Sequence, residues 1–169
     1  MRTIFISALA LLGATLSFAQ KTTTNINLSS WEFSHDSLKW ESVEVPHDWA
    51  IKCPFDKKWD LQKVAIVQNG EKDATEKSGR SGSLPWIGRG FYRTHINIDN
   101  PTNYAELQFD GAMSDAHVWV NGKFVGNWPY GYNAFRLDVS GALKKGDNII
   151  EVSLNNLEES SRWYPGGGI

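Results

Sequence analysis

The residues best suited to ligand recognition lie in "SSRWYPGGGI", residues 160–169. Arg162 carries a guanidinium that can donate hydrogen bonds to hydroxyl groups, and Trp163 carries a flat indole that can stack on a pyranose ring. The glycines that follow let a ligand or another part of the backbone approach closely. This segment is a candidate for sugar binding; the alternative is that Arg162 and Trp163 only hold the domain to a neighbour.

Two further residues are candidates for contacting substrate. Asp48, in "VPHDWAI", follows a proline turn and can either accept backbone N–H groups within the loop or reach a sugar hydroxyl. Arg80, in "SGRSGSLPW", is either an exposed loop arginine or part of a loop that covers a sugar pocket. His47 can titrate near neutrality, but a lone histidine supports no catalytic role.

The sequence offers neither a catalytic carboxylate pair nor a metal site. Glu158 and Glu159 are the only adjacent acidic residues. Neighbouring side chains on an extended chain point to opposite faces, so we interpret these two as a solvated rim. No His, Cys, Asp or Glu cluster has metal-ligand spacing, and no cofactor is predicted. Cys53 is the single cysteine, which excludes an intramolecular disulfide.

The first nineteen residues predict a secretory signal peptide. Arg2 gives the positive start, residues 4–12 are apolar apart from Ser7, and small residues precede Gln20. Cleavage there leaves residues 20–169 as one domain, in a secreted or periplasmic location. The net charge becomes 16 − 19 = −3, because Arg2 is lost from the 17 basic residues. With no basic run and no second apolar stretch, neither a nucleic-acid partner nor a membrane span is predicted.

From residue 91 onward, apolar and polar residues alternate with a period of two, which is typical of strands with one buried face. The residues expected in the core are Leu107, Phe109, Val118, Val120, Leu137, Val152 and Leu154. His117 and Trp119 are expected to point away from it. Asn121-Gly122 predicts a tight hairpin turn. Several such strands without a long amphipathic helix predict an all-β fold, an antiparallel β-sandwich.

The first third of the chain is less regular. An edge strand is expected before Pro46, and residues 64–67 are either a strand or a short helix. Residues 52–90 form a long polar insertion, a length that is usually functional or disordered.

Four segments in this order resemble the N-terminal sugar-binding domain of glycoside hydrolase family 2: "VPHDWAI", "GRGFYR", "LQFDGAMSDAHVWVNGKFVG" and "SSRWYPGGGI". The insertion resembles secreted β-galactosidases of Bacteroidetes. The resemblance implies a jelly-roll, galactose-binding-domain-like sandwich in a retaining exo-β-glycosidase that hydrolyses terminal β-galactosides. It places both catalytic glutamates in a (β/α)₈ barrel beyond an immunoglobulin-like domain, so no catalytic residue is assigned to this chain.

The resemblance also implies that the chain stops inside a motif, with its last strand cut off. The immunoglobulin-like and barrel domains would then be its partners, and a carbohydrate its ligand. Ser160-Ser161 stands where some members of the family carry an acidic residue that contacts sugar and a monovalent cation, so no cation site is assigned. Two alternatives stay open: a stand-alone carbohydrate-binding module, and a β-glucuronidase or β-mannosidase of the same family.

Overall fold

The computed structural model describes residues 23–52, 72, 88–156 and 166–169, and the backbone of residues 63–66 and 75–78. The described residues form ten strands. They are β1 (Ser30–Ser34), β2 (Glu41–Glu44), β3 (Lys63–Ile66), β4 (Thr75–Ser78), β5 (Gly88–Ile98), β6 (Glu106–Phe109), β7 (Ala116–Val120), β8 (Lys123–Trp128), β9 (Phe135–Asp138) and β10 (Gly146–Asn156).

The strands form three antiparallel sheets. The largest has six strands in the order β2-β1-β5-β10-β7-β8, while β6 pairs with β9 and β3 pairs with β4. No helix occurs among the residues that the structure describes, and hence none there is long and apolar enough to cross a membrane. The architecture confirms the predicted antiparallel β-sandwich.

The core lies between the six-stranded sheet and the β6–β9 pair. Alternate residues of β7 and β10 form its aliphatic part. From the β6–β9 pair, the rings of Phe109 and Phe135 stack on each other with centroids 4.9 Å apart. Burial confirms the predicted face for five positions: Phe109, Val118, Val120, Val152 and Leu154.

Leu107 and Leu137 are only half-buried, so the prediction that they are fully buried was wrong. They face each other across β6 and β9 and still pack against the core. Leu137 lies over Gly126, where an added Cβ would approach its Cδ2 to 2.7 Å. β6 and β9 form a two-stranded sheet, so among the described strands neither has a second neighbour beside the leucine pair.

The first third contributes more to the core than its sequence indicated. β1 was not predicted, yet its residues Trp31 and Phe33 are 5% and 1% exposed. β2 is an edge strand, as expected before Pro46. Residues 63–66 form a strand rather than a short helix.

The turn between β7 and β8 follows the sequence prediction. Asn121 and Gly122 both have positive φ, at 52° and 75°, as a tight hairpin with matching twist requires. The Asn121 side chain also donates to Ala142 O and to Asn148 Oδ1, at 2.9 and 2.8 Å. This turn is therefore fixed to the loop that precedes β10.

Candidate functional site

The candidate site is the end of the sandwich at which four separate parts of the chain meet. These parts are the loop after β2, the turn before β7, the end of β10, and residues 166–169. The last of them closes the Gly-rich segment singled out in the sequence. Each part is held by contacts described below.

His47 and Trp49 attach the first loop to the core. The His47 ring lies 5.0 Å from Phe33 and its Nδ1 is 2.7 Å from the Tyr92 hydroxyl. Trp49 stacks on Phe33 at 5.5 Å with an angle of 13° between the rings. Gly90 makes this stack possible, because a Cβ there would lie 2.5 Å from Trp49 Cζ3 and 2.9 Å from Phe33 Cε2. The loop is therefore fixed on both sides of Asp48.

The Asp48 side chain binds backbone groups. Its Oδ1 accepts hydrogen bonds from Ala50 N at 2.8 Å and from Gly167 N at 3.1 Å. The first contact closes an Asx turn, which is the loop-fixing role that the sequence allowed. The second ties residues 166–169 to this loop. Asp48 thus has a structural role, and a contact with sugar stays a prediction.

The three glycines of the terminal segment are needed for close approach. A Cβ on Gly166 would lie 2.8 Å from Asp48 Oδ2, and one on Gly167 would lie 2.5 Å from Trp49 Cζ2. A Cβ on Gly168 would lie 1.7 Å from the carbonyl oxygen of His47. Residues 166–168 can therefore pack against residues 47–49 only because these three glycines carry no side chains.

Backbone hydrogen bonds complete this docking. His47 N donates to Ile169 O at 2.7 Å and Trp49 N donates to Gly167 O at 2.9 Å. On its other side, Gly168 exchanges two hydrogen bonds with Met113, at 2.9 and 3.2 Å. Residues 166–169 thus lie between the loop after β2 and the turn before β7.

The turn at Met113-Ser114 binds residues on both sides of the segment 157–165. Ser114 Oγ donates to Asn155 O at 2.9 Å, and Ser114 O accepts from Asn155 N at 2.8 Å. Met113 binds Gly168, as described above. Asn155 precedes residues 157–165 and Gly168 follows them. Asn155 and Gly168, on either side of the segment that contains Arg162 and Trp163, are therefore held by adjacent residues of one turn.

Burial governs the electrostatics of the site. Desolvation lowers the pKa of His47 and the charge of Lys52 lowers it further, whereas Glu41 and Asp48 oppose this shift. Desolvation likewise raises the pKa of the Tyr92 hydroxyl. Both groups are therefore neutral at neutral pH. His47 Nε2 and Trp49 Nε1 are buried without a hydrogen-bond partner in the part of the chain that the structure describes.

The structure describes one of the four predicted site residues, Asp48. Arg162, Trp163 and Arg80 lie outside the described residues, as does the acidic pair Glu158 and Glu159. Asp48 is at the site. The sequence reasoning missed Met113, Ser114 and Tyr92. Their only signal was that they lie inside "GRGFYR" and "LQFDGAMSDAHVWVNGKFVG", two of the segments on which the resemblance rests.

An aromatic pair lies on the loop that follows β8. Tyr130 and Tyr132 are each 50% exposed, with ring centroids 5.9 Å apart. This loop reaches the turn before β7, since Asp115 N donates to Pro129 O at 3.2 Å. Within the described ranges, no three His, Cys, Asp or Glu residues converge as a metal site would require. Of the groups described, the half-exposed rings of Tyr130 and Tyr132 and the half-buried carboxylate of Asp48 are accessible to a ligand.

Comparison with known proteins identifies the family. The family model described as "Glycosyl hydrolases family 2, sugar binding domain" matches residues 16–167. A crystal structure of a glycosyl hydrolase family 2 member from Bacteroides cellulosilyticus is 31% identical, has a TM-score of 0.62, and covers 83% of this chain and 19% of that chain. A β-glycosidase from Bacteroides vulgatus is 28% identical with a TM-score of 0.61, and covers 83% of this chain and 18% of its own.

The curated relatives are longer proteins. A putative β-glucuronidase of Formosa agariphila is 33% identical over 89% of this chain and 14% of its own length. The β-galactosidase BoGH2A of Bacteroides ovatus is 31% identical over 77% of this chain and 14% of its own length. The chain thus spans about a seventh of these relatives. Since the family model matches most of its residues, the chain belongs to the sugar-binding domain family of glycosyl hydrolases family 2.

Proposed function

We propose that this domain serves a secreted retaining exo-β-glycosidase as its sugar-binding accessory domain, and that the parent protein removes terminal β-galactosyl residues. The relatives named β-galactosidase and the resemblance of the insertion to such enzymes support this substrate. A β-glucuronidase is the second candidate, because relatives from Formosa agariphila carry that name.

The observation that carries the proposal is that residues on both sides of the segment 157–165 are held at one place. Asn155 and Gly168 bind the adjacent residues Ser114 and Met113 of one turn. Loops whose flanking residues are held close together frequently carry function. Arg162 and Trp163, the two residues best suited to sugar binding, lie in this segment.

In the proposed role, the domain shapes the entrance of an active site whose catalytic residues it does not supply. Retaining hydrolysis requires two carboxyl groups about 5–5.5 Å apart, one acting as nucleophile and one as acid and base. We assign both to the barrel domain of the parent protein. Arg162 donates to sugar hydroxyls and Trp163 stacks on the ring, while Asp48 and Arg80 bound the same pocket.

Secretion belongs to the same proposal. A signal peptide at residues 1–19 would deliver the protein to the periplasm or the medium, where polymeric β-glycosides occur. Expression in a bacterial host followed by mass spectrometry of the exported protein tests this. The expected amino terminus is Gln20, and retention of Met1 in a cytoplasmic protein would contradict it.

The decisive experiment uses the parent protein with its downstream sequence. Aryl β-D-galactoside and aryl β-D-glucuronide are supplied in parallel, and kcat/KM is measured for each. A clear preference for the galactoside supports the proposal, and a preference for the glucuronide supports the second candidate. Absence of hydrolysis of either substrate, combined with binding to a polysaccharide, would show a carbohydrate-binding module instead.

A further inference from the structure

Three aromatic rings contact one another on the solvent side of the six-stranded sheet. We call His117, Trp119 and Phe124 the outer aromatic face. The rings of His117 and Trp119 are 6.2 Å apart and nearly parallel, at 22°, and Phe124 lies 6.1 and 5.6 Å from them. Phe124 is 51% exposed. The alternation along β7 puts Val118 and Val120 in the core, so His117 and Trp119 point outward, as the sequence predicted.

Hydrogen-bonding groups lie beside these rings in the adjacent strand. Glu151 of β10 is directly opposite Trp119, and Ser153 is opposite His117. Both are half-buried, and neither makes a side-chain hydrogen bond within the described part of the chain. Glu151 also faces Arg93 on its other side. That guanidinium is already engaged, because its Nε donates to Glu32 Oε2 at 2.6 Å and its Cζ lies 4.0 Å above the Trp40 ring.

His117 adds a further acceptor to this surface. Its Nδ1 donates to the carbonyl oxygen of Asp115 at 3.1 Å. In the neutral ring, Nε2 then carries the lone pair and can accept a hydrogen bond from a hydroxyl group. The side chain is 38% exposed, so a ligand can reach it.

We propose that the outer aromatic face binds a neutral β-linked glycan chain, with sugar rings stacked on Trp119 and Phe124 and hydroxyl groups donating to Glu151 and His117. Aromatic side chains supply a large apolar surface at little entropic cost, and the C–H face of a pyranose is a matching partner. A carboxylate can only accept hydrogen bonds, and sugar hydroxyls are donors that do not require a compensating charge.

The position of Glu151 favours a glycan over a docked protein domain. An apolar protein surface laid on the three rings would bury the neighbouring carboxylate without a partner, and an unpaired buried charge is costly. The cores of protein interfaces are accordingly depleted in charged residues. A glycan has hydroxyl groups around every ring, so it can cover the aromatic groups and satisfy the carboxylate together.

This binding surface is additional to the proposed function, since it uses a sheet face rather than the loop that contains Arg162 and Trp163. Its test is therefore independent of the enzymatic one. Affinity electrophoresis of the full chain in native gels containing soluble β-1,4-galactan measures binding, and gels with α-linked dextran supply the comparison. An aryl glycoside assay on the parent protein provides a separate reading, because that substrate is too small to need the surface.

The variants are Trp119→Ala, Phe124→Ser, Glu151→Ala and Glu151→Gln. Leu38→Ala is the matched control, because this apolar side chain is 82% exposed and lies in the loop between β1 and β2. We expect galactan to retard the wild type and Leu38→Ala equally, and dextran to retard neither. Trp119→Ala and Glu151→Ala should weaken galactan binding by at least about tenfold. Glu151→Gln, which keeps an acceptor, should lose less.

Phe124→Ser keeps the test valid if Trp119→Ala fails to fold, since the Phe124 ring is half exposed. Circular dichroism establishes that each variant is folded. The proposal is overturned if galactan does not retard the wild type, if dextran retards it equally, or if folded Trp119→Ala and Phe124→Ser bind galactan as the wild type does. A changed elution volume in size-exclusion chromatography with unchanged galactan binding would identify the surface as a protein interface.

Discussion

The Asp48 carboxylate accepts a hydrogen bond from the backbone N–H of Gly167, with 3.1 Å between Oδ1 and N, although the two residues are 119 positions apart. The same oxygen accepts from Ala50 N two residues away. One carboxylate therefore closes its own loop and fixes the far end of the chain to it. This contact joins the first and last segments from which the family resemblance was drawn.

Replacing Asp48 should destabilise the domain. In Asp48→Ala both backbone donors lose a charged acceptor, and hydrogen bonds of that kind contribute ~1.5–3 kcal/mol each. Because Asp48 is half-buried and water can reach part of the site, we expect a total loss of about 2–3 kcal/mol in the free energy of unfolding. Asp48→Asn retains Oδ1 as an acceptor and should lose about 1 kcal/mol.

Urea unfolding of the two variants measures this difference. Asp110→Ala is the control, because that carboxylate is exposed and, among the described residues, accepts from the Gln108 side chain alone. Its effect should stay below about 0.5 kcal/mol. Equal stability of Asp48→Ala and the control would show that residues 166–169 are not held through this carboxylate.

The sequence was most informative for strands in which apolar and polar residues alternate, because this alternation alone indicates which face is buried. Alternation through β7 and β10 predicted which of their faces is buried, since a one-residue shift would turn every apolar side chain to solvent. β1 was not predicted because it has only five residues, "SWEFS", and its two apolar residues are both aromatic. Such a short run also fits a loop with an aromatic anchor.

The site was less accessible to sequence reasoning than the fold. Asp48 and the glycines at 166–168 were recognisable by residue type, but the meeting of Met113 with Gly168 depends on the long-range path of the chain. Nothing in the local pattern around Ser114 shows that it binds Asn155. The sequence indicated that these glycines allow close approach, but only the fold shows that residues 47–49 are what they approach.

Two phenylalanines distinguish the two faces of the sandwich. Phe109 is 6% exposed and stacks on Phe135 at 4.9 Å, whereas Phe124 is 51% exposed. Phe109→Ala should cost ~3–5 kcal/mol, because it removes transfer free energy and leaves a cavity. Phe124→Ala should cost less than about 1 kcal/mol. Urea unfolding of both variants checks this, and a loss below about 1 kcal/mol for Phe109→Ala would contradict its assignment to the core.

The buried His47 should make stability depend on pH. In the unfolded chain a histidine titrates near pH ~6.5, whereas burial lowers the pKa of His47 in the folded protein. Below about pH 6.5 the unfolded state binds more protons, so the free energy of unfolding should fall as pH falls toward the lowered pKa. Above that pH, the contribution of His47 is complete.

Urea midpoints at pH 8, 7, 6 and 5 measure this slope. His47→Gln does not titrate and keeps a polar group near the Tyr92 hydroxyl, so it should reduce the slope between pH 7 and 5. The variant should also be less stable than the wild type at pH 8, since the Nδ1 contact with Tyr92 is altered. An unchanged slope in this folded variant would show that another group controls the pH dependence.

Arg162 is the residue whose replacement best separates sugar binding from structural support. In the parent enzyme, Arg162→Ala should lower kcat/KM by roughly tenfold to a hundredfold, since a lost charge-assisted hydrogen bond is worth ~1.5–3 kcal/mol. Tm should change little, because Asn155 and Gly168, on either side of the segment, bind the turn at Met113-Ser114 through hydrogen bonds in which residue 162 takes no part. Arg162→Lys keeps the positive charge but loses the planar guanidinium with its paired donors, so it should recover part of the activity.

Steady-state kinetics and thermal unfolding are measured on the same preparations. If Arg162→Ala clearly lowers Tm while kcat/KM of the folded enzyme is unchanged, the guanidinium stabilises the contact with the neighbouring domain and does not contact sugar.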